Sequence, residues 1–148
     1  MRISSKGRYA LAAMTFMSRN YASGTPITII RISEELGISK IYLEQVFSLL
    51  KRAGLVRSIK GSQGGYLLTR SPGEITAYDV LSTIELGMME KTEAASPEKQ
   101  PLLDKALSAR VYEPLDKAIH HALSTVTMDD ILTGLEEEKA TESLIYFI

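Results

Sequence analysis

Few residues of this 148-residue chain are placed to do chemistry. In KGSQGGYLLTR, residues 60–70, Lys60 stands ahead of Gly61, Gly64, Gly65 and a short apolar run. Residues without side chains let a backbone approach phosphate oxygens closely, and a neighbouring cation supplies the counter-charge. Other chemistries are poorly supplied. The sequence has no cysteine, which removes disulfides, thiolate metal ligands and cysteine nucleophiles together. Its two histidines are the adjacent His120 and His121, which lack another soft ligand and are expected at solvent or an interface. No activated nucleophile, paired acid or lysine-bearing phosphate loop stands out, and Gln63-Gly64-Gly65 lacks the strand-to-helix setting of a nucleotide fingerprint. No enzyme, metal or cofactor is expected.

The elements that would hold Lys60 follow from capping and periodicity. Ser4 or Ser5 suits the start of a helix from about Lys6 to Tyr21, with Tyr9, Leu11, Met14, Phe16 and Met17 as its core side. Thr28 suits the start of a second helix ending at Leu36. Gly37 closes it, and Ser39 opens a third from Lys40 to about Ala53. Two helices joined by only Gly37, Ile38 and Ser39 form a helix-turn-helix pattern. Leu43, Val46, Phe47 and Leu50 share one face of the third helix, leaving Lys40, Tyr42, Glu44 and Gln45 off the core. LVRSIK and YLLTR then read as a β-hairpin around GSQGG, a wing whose tip runs from Lys60 to Gly65. The expected class is mainly α with a small hairpin wing: a winged helix-turn-helix followed by a C-terminal dimerisation helix.

Charge separates the chain in the same way. Residues 1–70 carry eleven Lys or Arg against three Asp or Glu, a net +8, whereas residues 71–148 carry six against fifteen, a net −9. A polyanion-binding surface confined to the first half accounts for this division. Residues 1–86 are thus expected to form the winged domain, 87–102 a mobile acidic linker, and 103–148 a dimerisation helix with a C-terminal helix and tail. Thr76 with Asp79 and Thr127 with Asp130 mark helix starts, running to about Leu86 and about Glu137. Between them, Leu107, Val111, Leu115, Ala118, Ile119, Ala122 and Val126 recur at steps of three and four, which suits a two-fold seam or packing within the chain. Pro114 interrupts this segment, where a kink or a new helical start is expected. A stretch of about 18 apolar residues and the uncharged core of a signal peptide are both lacking, so a soluble, cytoplasmic protein is expected.

MRISSKGRYALAAM, GISKIYLEQVFSLLKRAGLVRSIKGSQGGYLL and ITAYDVLSTIE resemble the Rrf-two (Rrf2) family of bacterial repressors over nearly the whole chain. The specific part is Tyr42-Leu43-Glu44-Gln45 combined with Gly64-Gly65-Tyr66. The resemblance implies a homodimer that reads pseudo-palindromic promoter DNA through two winged domains, with long helices crossing at the dimer interface. By position it assigns Ser39, Lys40, Tyr42, Glu44 and Gln45 to the recognition helix and Lys60, Ser62 and Gln63 to the wing. Glu44 could accept from a cytosine amino group, Gln45 or Lys40 could read a purine edge, and Lys60 and Arg8 suit phosphates. The seam would be formed by Leu107, Val111, Leu115, Ile119, Ala122 and Val126.

Cluster-binding members of the family carry three cysteines between the winged domain and the dimer helix, and residues 87–104 here contain none. The resemblance is therefore closest to the cysteine-metabolism repressor (CymR) branch, which implies a repressor of sulfur or cysteine genes without an iron-sulfur cluster. It also implies cysteine synthase as a partner, held through the terminal Ile148. A ligand- or redox-responsive regulator of another regulon, and a winged-helix interaction adaptor, remain open as alternatives.

Overall fold

The computed structural model describes residues 2–147; Ile148, the residue assigned to partner binding, lies outside the described residues. Helix α1, Ser5–Arg19, is capped by Ser4, whose hydroxyl oxygen accepts the Gly7 N–H at 3.1 Å. It runs through the centre of the core, burying Ala10, Ala13, Met14 and Met17. Helix α2, Ile29–Leu36, is capped by Thr28, and Gly37 ends it in the left-handed conformation that glycine adopts without penalty. The Ser33 hydroxyl donates to the Ile38 carbonyl at 2.6 Å, which fixes the turn into α3, Lys40–Arg52. Leu43, Val46, Phe47 and Leu50 of α3 are fully buried, as their spacing requires.

Strands β1, Val56–Ile59, and β2, Gly65–Leu68, pair antiparallel with Val56 opposite Leu68 and Ile59 opposite Gly65. An isolated pairing of Ile27 with Tyr66 adds a third backbone to the free edge of β2. The result is a mainly helical winged helix-turn-helix.

Helix α4, Ala77–Ser82, ends earlier than Leu86 because the chain turns out after Leu81, whose carbonyl accepts both the Ile84 and Glu85 N–H groups. A short α5, Leu86–Met89, follows. Within residues 90–100 the Asp104 carboxylate accepts the Ala95 N–H at 2.9 Å and the Ser96 N–H at 3.0 Å. Helix α6, Pro101–Leu107, passes through a π-helical turn, Ser108–Tyr112, into α7, Glu113–Ser124. Pro114 closely follows that π-helical turn, where the regular hydrogen-bond ladder is already interrupted and its missing N–H is accommodated.

Helix α8, Met128–Tyr146, extends well past Glu137. No breaker follows Gly134; in the distal half of α8 Glu136 pairs with Lys139, and its last turn carries the exposed Leu144, Ile145 and Tyr146. Its start returns to the winged domain. Thr76 pairs with Thr127, the Ala77 N–H donates to Val126 at 2.8 Å, and the Met128 N–H donates to Ile75 at 2.9 Å. The two capping boxes therefore lie side by side, and Met128 is fully buried in the core. Among the described residues no helix is long and apolar enough to cross a membrane.

Candidate nucleic-acid interface

The capping and burial of α3 decide which of its side chains are presented. Ser39 accepts the Tyr42 N–H at 3.4 Å, so the first turn begins at Lys40. With the Leu43 face turned inward, Lys40, Ile41, Tyr42, Glu44, Gln45 and Ser48 are exposed. The Lys40 ammonium lies 3.8 Å from the Glu44 carboxylate across one helical turn, and both side chains are more than half exposed. A pair of this kind contributes about 0.3–0.5 kcal/mol, little enough to open when another partner arrives. Tyr42 is fixed from below: its ring meets that of Tyr9 on α1 edge-on, with centroids 5.7 Å apart.

Ile41 is 68% exposed, an unusual position for a large aliphatic side chain on a helix of this polarity. Sequence reasoning missed it. The signal was available, since Ile41 falls outside the set Leu43, Val46, Phe47 and Leu50. An exposed branched side chain among polar neighbours suits contact with a thymine methyl group.

At the wing tip Lys60, Ser62 and Gln63 are exposed. Gly61 has φ of 105°, and its carbonyl accepts the Gly64 N–H at 3.0 Å, which makes the turn. Gly64 and Gly65 answer to the protein itself rather than to a phosphate. A Cβ on Gly64 would strike the carbonyl of Ile59, and one on Gly65 would lie 2.6 Å from the carbonyl of Ile27. Of the three glycines, only Gly61 borders open space at the tip. The wing is also tied to α3, because the rings of Tyr66 and Phe47 pack at 4.8 Å. Its position relative to α3 is therefore set by the core.

Arg8 is exposed but already engaged: its guanidinium donates to the Ile3 carbonyl at 2.8 Å and to the Ser5 hydroxyl at 3.1 Å. Its remaining donors can still meet a phosphate. Among the described residues, only Lys40 and Arg70 of the basic half form ion pairs, with Glu44 and Asp79. Arg57 on β1 and Lys51 and Arg52 at the end of α3 are exposed cations without such pairing. This arrangement suits a polyanion.

The residues assigned to a dimer seam fall into two groups. Val111 and Leu115 are about half exposed and Val126 is 36% exposed. Ala122 is exposed, while Leu107 and Ile119 are half-buried. Leu115, Ile119 and Ala122 border an apolar crevice shared with Ile3 and Leu81, so part of the stripe packs within the chain.

Comparison with known proteins identifies the family. The family described as Rrf2, iron-dependent transcriptional regulator, matches residues 3–134. The chain is similar to the HTH-type transcriptional regulator IscR of Pectobacterium carotovorum, 37% identical over 92% of this chain and 82% of that protein. IscR of Cronobacter sakazakii is 36% identical over 92% and 83%. Among solved structures, T. potens IscR superposes with a TM-score of 0.73 at 31% identity, covering 93% of this chain and 90% of the other. CymR, the global cysteine regulator of B. subtilis, superposes with a TM-score of 0.70 at 30% identity, covering 90% and 97%. These relatives are regulators, not enzymes. The iron in the family description finds no fitting donor set here. The sequence has no thiolate, and among the described residues no three His, Asp or Glu side chains are gathered to hold a metal.

Proposed function

Because the chain belongs to the Rrf2 family of transcriptional regulators, we propose that two copies bind one pseudo-palindromic promoter site and read it with α3 and the wing. The observation that carries this reading is the exposed row Ser39, Lys40, Ile41, Tyr42, Glu44 and Gln45, held on a buried helix face and joined to the wing through Phe47 and Tyr66. In this reading Glu44, Gln45 and Lys40 meet base edges, with Ile41 against a methyl group. Lys60 and Arg8 neutralise phosphates, and Ser39, Tyr42, Ser62 and Gln63 fix the register. Dimerisation through the half-exposed Val111 and Leu115 would set the two recognition helices roughly 34 Å apart.

The regulon proposed is sulfur or cysteine metabolism, with repression as the mode. Its support is the absence of cluster thiolates and the likeness to the B. subtilis cysteine regulator. Cysteine synthase as a partner through Ile148 belongs to the same proposal, and unchanged binding after deletion of Ile148 would remove it. The first experiment is fluorescence anisotropy of the full chain with its own promoter fragment and a scrambled duplex at several salt concentrations. A preference of roughly a thousandfold with a steep negative salt slope is the expected result. Equal, weak binding to both duplexes would refute sequence reading.

A further inference from the structure

The cleft between the winged domain and α7 brings together side chains that DNA recognition does not use. It measures about 370 Å³ and is lined by Tyr78 of α4, Met88 of α5, Lys91 just after it, and Asp116, Lys117 and His120 of α7. That volume lies within the range of small-molecule sites, ~300–1,000 Å³. The Tyr78 and His120 rings meet edge-on with centroids 4.5 Å apart and form one wall.

No salt bridge among the described residues joins the charges in this cleft. Among the described residues the ion pairs are Lys40 with Glu44, Arg70 with Asp79, and Lys139 with Glu136. Lys91, Lys117 and Asp116 thus share one cleft without pairing. They do so in a half of the chain where acidic residues outnumber basic ones fifteen to six, so two lysines converging here is unusual for that surface. Two ammonium groups suit a carboxylate, and a carboxylate beside them suits an ammonium. Met88 and the Tyr78 ring offer apolar surface for the body of the ligand.

We propose that this cleft binds a small zwitterionic amino acid, its carboxylate held by Lys91 and Lys117 and its ammonium by Asp116. The occupant would touch α4, α5 and α7 together, so its binding bears on the angle between the winged domain and the dimer helix. That coupling rests on the DNA-binding reading above; the binding site does not.

The test is isothermal titration of the full chain with each of the twenty standard amino acids, with sodium acetate and inorganic phosphate as simple anions. At least one amino acid should bind, and Lys117→Gln and Asp116→Asn should each weaken it about tenfold or more without changing the melting temperature. Three results would overturn the site: no binding by any amino acid, affinity unchanged in both variants, or acetate and phosphate binding as tightly as the best amino acid. The coupling is tested separately by promoter anisotropy with and without that amino acid. Intact DNA binding that the ligand leaves unaltered overturns the coupling. A chain that binds no promoter at all overturns the DNA reading and the coupling, and the calorimetry then still decides the site.

Discussion

Ser4 donates both its backbone N–H and its hydroxyl to one carboxylate oxygen of Glu85, at 2.8 and 2.6 Å. The same hydroxyl oxygen caps α1 by accepting the Gly7 N–H, so the start of the central helix is tied to the turn after α4. Gly7 is buried at this point, and a Cβ there would strike the Glu85 carboxylate. Charge-assisted bonds are the stronger kind, but these are solvent-exposed, so Glu85→Ala should cost about 1–2 kcal/mol. That corresponds to a melting temperature roughly 2–8 °C lower for a chain of this size. A double-mutant cycle with Ser4→Ala should show coupling of at least ~0.5 kcal/mol, and additivity would mean the contact contributes nothing.

The recognition helix and the wing should separate base reading from charge. Lys60→Ala should weaken promoter and scrambled DNA alike and lower the salt slope by about one. Glu44→Ala releases only an exposed pair with Lys40, so the fold should melt unchanged while preference among bases relaxes. Anisotropy on both duplexes distinguishes the two, and the same change on specific and random DNA from both variants would contradict the roles assigned.

The wing glycines offer a graded test. Gly61 has a positive φ but open space around it, so Gly61→Ala meets backbone strain alone, about 1–3 kcal/mol. Gly65 combines φ of 147° with the Ile27 backbone at 2.6–2.9 Å from any added Cβ. Gly65→Ala must also break the Ile27–Tyr66 pairing, whose N–H···O bonds are 3.0 and 2.8 Å, and should be the more destabilising in urea unfolding. If the two cost the same, the wing is not docked on Ile27.

Local signals account for most of what could be read from the sequence. Ser4, Thr28, Ser39, Thr76 and Thr127 all cap helices in the structure, because a cap bonds to an N–H only two or three residues away. Leu43, Val46, Phe47 and Leu50 are buried together because helical period alone places them on one face. Contacts between distant segments leave no such periodic trace. Ser4–Glu85, Ile27–Tyr66 and Thr76–Thr127 each join segments that the sequence treats separately. The second reason for Gly65 was hidden in the same way, since it lies in the approach of Ile27.

Met128 shows what that concealment leaves out. Its side chain is fully buried with Ile75, although the sequence groups it with the C-terminal dimerisation segment. Met128→Ala should cost about 2–5 kcal/mol, as for other buried methionines. Loss of α8 should be more severe, because Ile131 also packs on the core. Truncation after residue 125 should therefore lower the melting temperature of the winged domain itself, measured by circular dichroism. An unchanged melting temperature would show that α8 is an independent appendage.

The helix from α6 to α7 spans 101–124, is roughly 36 Å long by helical rise, and has two sides with different surroundings. Val111 is 50% exposed and borders none of the crevices against the winged domain, whereas Ile119 lines the crevice with Ile3 and Leu81. A charge at the first should act between copies of the chain, and a charge at the second within one copy. Val111→Asp is expected to leave the melting curve of a dilute sample nearly unchanged and to shift the sedimentation velocity profile from dimer to monomer. Promoter affinity should fall by about a hundredfold or more as the second half-site is lost. Ile119→Asp should instead lower the melting temperature at every concentration. If Val111→Asp sediments as a dimer, Val111 lies outside the seam and this assignment of the stripe fails.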